Sequence, residues 1–125
     1  MSSKLTLVAR ILLGLILVVF GANKFYEFLP ALPLDENGGA YAFFGALAAT
    51  GYMIYLIGLV EVIAGILLLT NRSVPFALVI LAPISVNVVL FHALLDPSNI
   101  APALLVALLN IYLISRNWGA YKSLF

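Results

Sequence analysis

The stretch YMIYLIGLVEVIAGILLLT, residues 52–70, decides the fold of this chain. Its single charged side chain is Glu61, in the middle of the stretch. A run of about 20 apolar residues is long enough to cross the hydrocarbon core of a bilayer as one helix. A carboxyl group at that depth is costly and normally faces the interior of a helix bundle. The stretch therefore predicts a membrane span whose Glu61 points away from lipid.

The composition of the whole chain is that of an integral membrane protein. Hydrophobic residues make up 65% and charged residues 9% of the 125 residues, and the mean hydropathy is +1.20. Soluble domains are only about 45–50% apolar. The length allows about four spans of ~20 residues and leaves no room for a separate soluble domain. A net charge of +1 argues against nucleic acid as a partner.

The absence of cysteine excludes several kinds of site. Without it the chain can hold no CxxC dithiol, structural disulfide, thiolate-bound metal or iron–sulfur cluster. The single histidine cannot supply both axial ligands of a bis-His haem. We therefore predict no metal site, and any redox chemistry must come from a bound group.

The remaining apolar runs complete a helical bundle. Residues 26–39 contain two prolines and an Asn-Gly-Gly turn signal, which is typical of a loop. The apolar run that follows is too short to span, and this length is typical of an interfacial or re-entrant helix. We predict an all-α integral membrane four-helix bundle with a short interfacial or re-entrant helix between the first and second spans, forming one domain over residues 1–125. The predicted spans are about 5–25, 52–70, 74–95 and 100–116, with the short helix at about 40–50.

The distribution of basic residues predicts the orientation in the membrane. Four spans place both termini on one side. That side carries five bases and no acid, whereas Lys24 is the only base on the other side. An excess of Lys and Arg marks the cytoplasmic side of a multi-pass protein. We therefore expect cytoplasmic termini; the five bases are Lys4, Arg10, Arg72, Arg116 and Lys122.

Glycines and charged residues share one face on each of the first two spans. On the first span this face includes Gly14, Gly21 and Lys24, and on the second span it includes Glu61 and Gly65, all at helical spacing. Glycine lets the backbones of two membrane helices approach closely. We therefore expect the two faces to meet each other or the bundle axis.

Five polar side chains are the candidate ligand-binding residues, and no catalytic residue is assigned. A rise of about 1.5 Å per residue places three of them at similar depth on three different helices, with the other two nearer the outer rim. Together they predict a polar vestibule that opens away from the cytoplasm. The candidates are Glu61, Asn87 and Asn110 at depth, and Lys24 and His92 at the rim.

Each candidate also has a purely structural interpretation. Glu61 can clamp helices together, contact a ligand such as a quinone, or relay protons. Asn87 and Asn110 are typical of interhelical hydrogen bonds. His92 lies four residues before an aspartate, a spacing that favours a local contact fixing the helix end over a metal ligand. Lys24 can extend to the interface or bind an anionic head group.

Aromatic residues cluster around the outer end of the first span and in the short helix. This cluster is typical of an interfacial belt, and its rings can also form the wall of a binding site. Its members are Phe25, Tyr26, Phe28, Tyr41, Phe43 and Phe44.

Three runs of sequence suggest a family. They are GANKF at 21–25, GLVEVIAGILLL at 58–69 and APISVNVVLFHALLDP at 82–97. Over nearly its whole length the chain resembles the DoxX-like family of small four-helix bacterial membrane proteins. The resemblance implies a location in the bacterial inner (plasma) membrane. Named members look like small subunits of quinone-linked oxidoreductases, such as the thiosulfate:quinone reductase of sulfur-oxidising archaea.

From the residues and the resemblance together we expect a subunit or accessory factor of a quinone-linked redox or stress-response complex. A quinone is the bound cofactor that this interpretation suggests, and whether the chain is itself an enzyme stays open. The alternatives are a non-enzymatic membrane scaffold or assembly protein and a small proton-coupled transporter. The expected partners are the lipid bilayer and a larger subunit of the complex, with a homo-oligomer as an open alternative.

Overall fold

The computed structural model describes residues 3–30 and 34–125, and every regular element in them is helical. Part of the predicted loop, residues 31–33, lies outside the described residues. The prediction of an all-α fold with a short helix between the first two spans is confirmed. The α-helices are α1 Ser3–Asn23, α2 Gly39–Ala49, α3 Met53–Thr70, α4 Val74–Leu95 and α5 Ala101–Arg116; a 3₁₀ turn spans Pro97–Asn99, and a C-terminal 3₁₀ helix spans Trp118–Leu124.

Three of the described helices, α1, α3 and α4, are long and apolar enough to cross a bilayer. α5 is shorter, and the chain bends by 81° between it and the C-terminal 3₁₀ helix. If that bent pair is one span, the described residues contain four. Large apolar side chains cover the outer surface of these helices, as hydrocarbon requires. Examples are Leu15 on α1, Ile63 on α3, Val86 on α4 and Leu108 on α5.

The helices other than α2 form a closed ring in which α1 packs on α3, α3 on α4, α4 on α5 and α5 on α1. The α1–α3 contact is the most extensive, and α2 packs lightly against α3 and α4. Leucines fill the centre because they have no polar group to satisfy in a dry interior. Those with almost no exposed surface are Leu13, Leu17, Leu68, Leu78, Leu81 and Leu113.

Side-chain contacts bring the start of α1, the α3–α4 connection and the end of α5 to one end of the bundle. Thr6 Oγ1 lies 3.1 Å from Tyr112 Oη, and the Tyr121 hydroxyl donates to the Pro75 carbonyl at 2.8 Å. We call this the basic end, since it carries the exposed bases Lys4, Arg72, Arg116 and Lys122. The opposite end, called the acidic end, carries Glu27, Asp35, Glu36 and Asp96.

Reciprocal glycine contacts hold α1 against α3. A Cβ added at Gly65 would lie 2.8 Å from the Gly14 carbonyl oxygen, and one added at Gly58 would lie 3.0 Å from that of Gly21. No side chain larger than hydrogen fits such separations without moving a backbone. The two glycines on each helix are seven residues apart, which is two helical turns. The prediction that the two small-residue faces meet is confirmed.

The connection between α3 and α4 is only three residues long, Asn71–Ser73. Asn71 and Ser73 both have left-handed backbone conformations, with φ of 55° and 47°. Asn tolerates this region better than most residues because its short polar side chain can hydrogen-bond locally. The Arg72 N–H donates to the Leu67 carbonyl at 3.0 Å, so a carbonyl at the end of α3 is satisfied. The turn therefore reverses the chain direction within three residues.

Candidate functional site

An ion pair between α1 and α3 is the centre of the candidate site. Lys24 Nζ lies 2.7 Å from Glu61 Oε1, and the two side chains are 23% and 10% exposed. Glu61 is in the middle of α3, and Lys24 directly follows the last residue of α1. The sequence identified both residues as candidates but did not pair them.

The glycine contact explains why the two charges meet. A Cβ added at Gly21 would lie 3.0 Å from Glu61 Cβ, and one at Gly58 would lie 3.0 Å from Lys24 Cβ. Helical side chains lean toward the N-terminus of their own helix. In an antiparallel pair these directions are opposed, so Glu61 leans toward the acidic end while Lys24 leans back toward Glu61. The spacing from Gly21 and Gly58 is the sequence signal that could have revealed the pair.

Two aromatic rings flank the ion pair. Phe25 and Tyr55 are stacked, with ring centroids 5.6 Å apart and planes inclined by 25°. A Cβ added at Gly58 would lie 3.0 Å from Phe25 Cε2, which places this ring beside the α1–α3 contact. Both rings are about half exposed. The arrangement puts a flat apolar surface next to a charged donor and a carboxylate.

The hydrogen bonding of the pair is incomplete. Glu61 Oε1 is buried and, among the described residues, has no aligned hydrogen-bond donor, although Lys24 Nζ is within ion-pair distance. The ammonium group has three N–H donors and remains partly exposed. It can therefore donate to a carbonyl or other acceptor that approaches from the acidic end while staying paired with Glu61.

Asn110 lies in a separate buried network between α4 and α5. Its Oδ1 accepts a hydrogen bond from the Ser85 hydroxyl at 3.0 Å, and its Nδ2 donates to the Leu78 carbonyl at 3.2 Å. The prediction that this amide makes interhelical hydrogen bonds is confirmed. Sequence reasoning missed Ser85, although its spacing from Leu78 and Leu81 places it on the interior face of α4.

Asn87 corrects the prediction that three polar groups share one level inside the bundle. Its side chain is exposed, and its Nδ2 donates to the carbonyl of Pro83 in the same helix at 2.9 Å. Two residues along a helix correspond to a rotation of ~200°, so Asn87 faces away from the buried Ser85. The prediction was wrong because depth along the helix was estimated and rotation around it was not.

His92 makes the local contact that its spacing predicts. Its Nδ1 lies 3.3 Å from Asp96 Oδ2. Asp96 is buried, and Asn99 Nδ2 lies 3.0 Å from each of its carboxylate oxygens. These contacts fix the end of α4 and the 3₁₀ turn after it. Within residues 3–30 and 34–125, no three His, Cys, Asp or Glu side chains form a group that could hold a metal ion.

A shallow apolar groove of about 350 Å³ lies between α1 and α5. It contains none of the five predicted site residues. Its lining residues are Ile16, Phe20, Ala101, Pro102 and Leu105.

Comparison with known proteins identifies a family. The sequence model described as DoxX matches residues 5–93, well over half of the chain. The matched range runs from α1 into α4 and includes Lys24, Glu61, Asn87 and His92, whereas Asn110 lies beyond it. No curated protein and no solved structure matches the chain.

Proposed function

Because this chain belongs to the DoxX family, we propose that it is a subunit or accessory factor of a quinone-linked redox or stress-response complex. In this proposal Lys24 and Glu61 form the polar end of a site for a quinone head group or a similar small amphipathic ligand. The site opens toward the acidic end, away from the cytoplasm. The protein is a multi-pass protein of the bacterial inner membrane with both termini cytoplasmic.

The observation that carries the proposal is the partly exposed Lys24–Glu61 ion pair beside stacked rings. A quinone needs a donor for its carbonyl oxygen and an apolar surface for its ring. Lys24 Nζ offers the donor, and the half-exposed faces of Phe25 and Tyr55 offer the surface. Pockets for small ligands typically combine a mostly apolar lining with a few placed polar groups. Glu61 keeps the ammonium in place.

Two of the other three candidates have supporting roles in this proposal. His92 fixes the end of α4 at the acidic end of the bundle, toward which the site opens. Asn110 sets the separation of α4 and α5, so that the bundle presents a constant shape to the ligand. Asn87 faces outward and serves here as a control position.

The test is ligand-dependent stability of the purified protein in mild detergent. Short-chain ubiquinone and menaquinone analogues are titrated while the unfolding temperature is recorded, because a ligand that binds the folded state raises it in a saturable way. We expect the unfolding temperature of the unaltered chain to rise with ligand concentration until it saturates. Glu61→Gln or Lys24→Gln should lower the affinity for the ligand by tenfold or more, which corresponds to about 1.4 kcal/mol of binding free energy. Asn87→Ala should leave the affinity unchanged. If none of the analogues gives a saturable response with the unaltered chain, the quinone proposal is wrong.

A membrane scaffold is the second candidate function, favoured by a different observation. Glu61 is paired with Lys24 and the amide of Asn110 is bonded within the bundle, so both groups have structural partners. A scaffold would bind a larger subunit and no small ligand. Co-purification from native membranes in mild detergent, with mass spectrometry of bound proteins and lipids, distinguishes the two: a bound quinone supports the first, and a protein partner without quinone supports the second.

A further inference from the structure

The C-terminal 3₁₀ helix runs across the basic end of the bundle. It is bent by 81° from α5, so a bundle that stands upright in the bilayer holds this helix close to the membrane plane. Its inner face is attached to the bundle: Tyr121 is buried, and its hydroxyl donates to the Pro75 carbonyl at the start of α4. The segment is therefore packed against the bundle as part of the basic end.

The other face of this segment is apolar and unusually open. Trp118, Leu124 and Phe125 are 49%, 69% and 92% exposed. Trp118 and Phe125 stack on each other, with ring centroids 5.8 Å apart and an interplanar angle of 26°. Tryptophan is enriched where membrane proteins cross from hydrocarbon to head groups, since its ring is apolar and its indole N–H is polar.

Exposed bases lie at the same end of the bundle as this aromatic stack. Arg116 is the last residue of α5, two positions before the segment, Lys122 lies within the segment, and Lys4 and Arg72 belong to the same end. None of the five acidic residues of the chain is at this end: Glu27, Asp35, Glu36 and Asp96 are at the other, and Glu61 is paired with Lys24. Basic residues beside a membrane-inserted aromatic group attract anionic phospholipids.

We propose that the basic end is a docking surface for anionic phospholipid head groups of the surrounding leaflet. The Trp118–Phe125 stack inserts at the level between head groups and acyl chains. Arg116 and Lys122 bind the lipid phosphates, and Lys4 and Arg72 add to the positive field. The orientation of the segment along the membrane plane favours a bilayer surface as the partner. The positive charge of this end favours an anionic surface over a neutral one. Lipid binding at this end does not require a quinone site elsewhere in the bundle.

The test uses Trp118 as a reporter, because it is the single tryptophan of the chain. The full chain is reconstituted into phosphatidylcholine vesicles with and without phosphatidylglycerol. Phosphatidylcholine brominated near the head-group end of the acyl chain should quench Trp118 more than lipid brominated near the chain terminus. Energy transfer from Trp118 to trace dansyl-phosphatidylglycerol should exceed transfer to trace dansyl-phosphatidylcholine, and high salt should reduce the difference.

Matched variants separate charge from depth. Arg116→Gln with Lys122→Gln should reduce the phosphatidylglycerol preference by up to roughly thirtyfold at low salt, the combined effect of two surface-bound bases, and leave depth quenching unchanged. Asp35→Asn with Glu36→Gln changes the net charge by the same amount in the opposite direction, at the acidic end, and should have no effect on the preference. The proposal is overturned if Trp118 stays accessible to a water-soluble quencher in every vesicle, a result that would instead indicate a protein-binding surface. It is also overturned if energy transfer to the two dansyl lipids is equal.

Discussion

Lys24 and Glu61 stabilise the folded protein as a pair, and either charge without the other destabilises it. A charge left buried without its partner is strongly unfavourable, whereas replacing both charges with apolar groups is often tolerated. We predict that Lys24→Met and Glu61→Leu each lower the free energy of unfolding, and that the double variant loses less than the sum of the two. Residues in direct contact typically couple by about 0.5–3 kcal/mol. Reversible unfolding in mixed micelles measures the cycle.

The control for this cycle is Lys24→Met combined with Asn87→Leu, since Asn87 is exposed on α4 and its side chain hydrogen-bonds to Pro83 of its own helix. Those two changes should be additive. If the effects of the Lys24 and Glu61 changes on the free energy of unfolding were also additive, the ion pair would contribute no coupling energy and the prediction would be wrong.

Asn110 and Asn87 are the same residue type in opposite settings, which makes them a matched pair. We predict that Asn110→Leu lowers the free energy of unfolding by about 0.5–2 kcal/mol, because the change breaks hydrogen bonds between α4 and α5 in a setting where such bonds contribute this much. Asn87→Leu should have little effect, since its side chain bonds only to its own helix on the outer face. Equal losses in the two variants would show that the buried network contributes nothing specific.

At the level of elements, the close approach of α1 and α3 depends on glycine. A Cβ added at Gly65 would lie 2.7 Å from Val18 Cγ2 as well as against the Gly14 backbone, so an alanine there must push the helices apart. We predict that Gly65→Ala lowers the free energy of unfolding by about 1–3 kcal/mol, as overpacking typically does. Denaturation in micelles measures this.

Gly45→Ala in α2 is the control, because nothing lies within 4 Å of a Cβ added there. Alanine favours a helix over glycine by up to about 1 kcal/mol. This variant should therefore be as stable as the unaltered chain or more so. A similar loss in both variants would mean that helix propensity, and not the α1–α3 contact, governs the effect.

The elements could be predicted from the sequence because each leaves a mark on it. Long apolar runs predict spans, prolines and glycines predict connections, and the spacing of Gly14 and Gly21 predicts which face of α1 meets α3. The Lys24–Glu61 pair has a weaker sequence signal, which is that each charged residue lies three residues after a glycine of the α1–α3 contact. Formation of the pair depends on the antiparallel register of two helices and on the direction in which each side chain leans, and both are set by packing.

The candidate site was predicted less well than the fold for a related reason. Depth along a helix follows from counting residues, so Glu61 and Asn110 could be identified as interior groups. Rotation around the axis must also be right, and an apolar helix such as α4 has no polar face to fix it. For that reason Asn87 was expected inside although it lies on the outer face.

At the scale of the whole molecule, the two ends of the bundle differ in charge, and this difference predicts orientation. With Lys and Arg concentrated at the basic end, that end should face the cytoplasm. The chain has no native cysteine, so single cysteines report without background. We predict that Glu36→Cys reacts with a membrane-impermeant maleimide in intact cells and that Ser123→Cys reacts only after the membrane is opened.

The reverse labelling pattern would place the termini outside and overturn the proposed direction of the ligand site. Labelling of both positions in intact cells would indicate a mixed population. The unaltered chain serves as the blank, and each variant is checked for its amount in the membrane before labelling.

The three-residue connection between α3 and α4 bears on how the protein is made. Only Asn71–Ser73 separate the two apolar helices, so α4 follows α3 to the membrane almost at once during synthesis. We expect the translocation machinery to release the two as a single hairpin, after α1 is already in place. Lengthening this turn with a few glycines would then delay biogenesis even if the finished protein were equally stable.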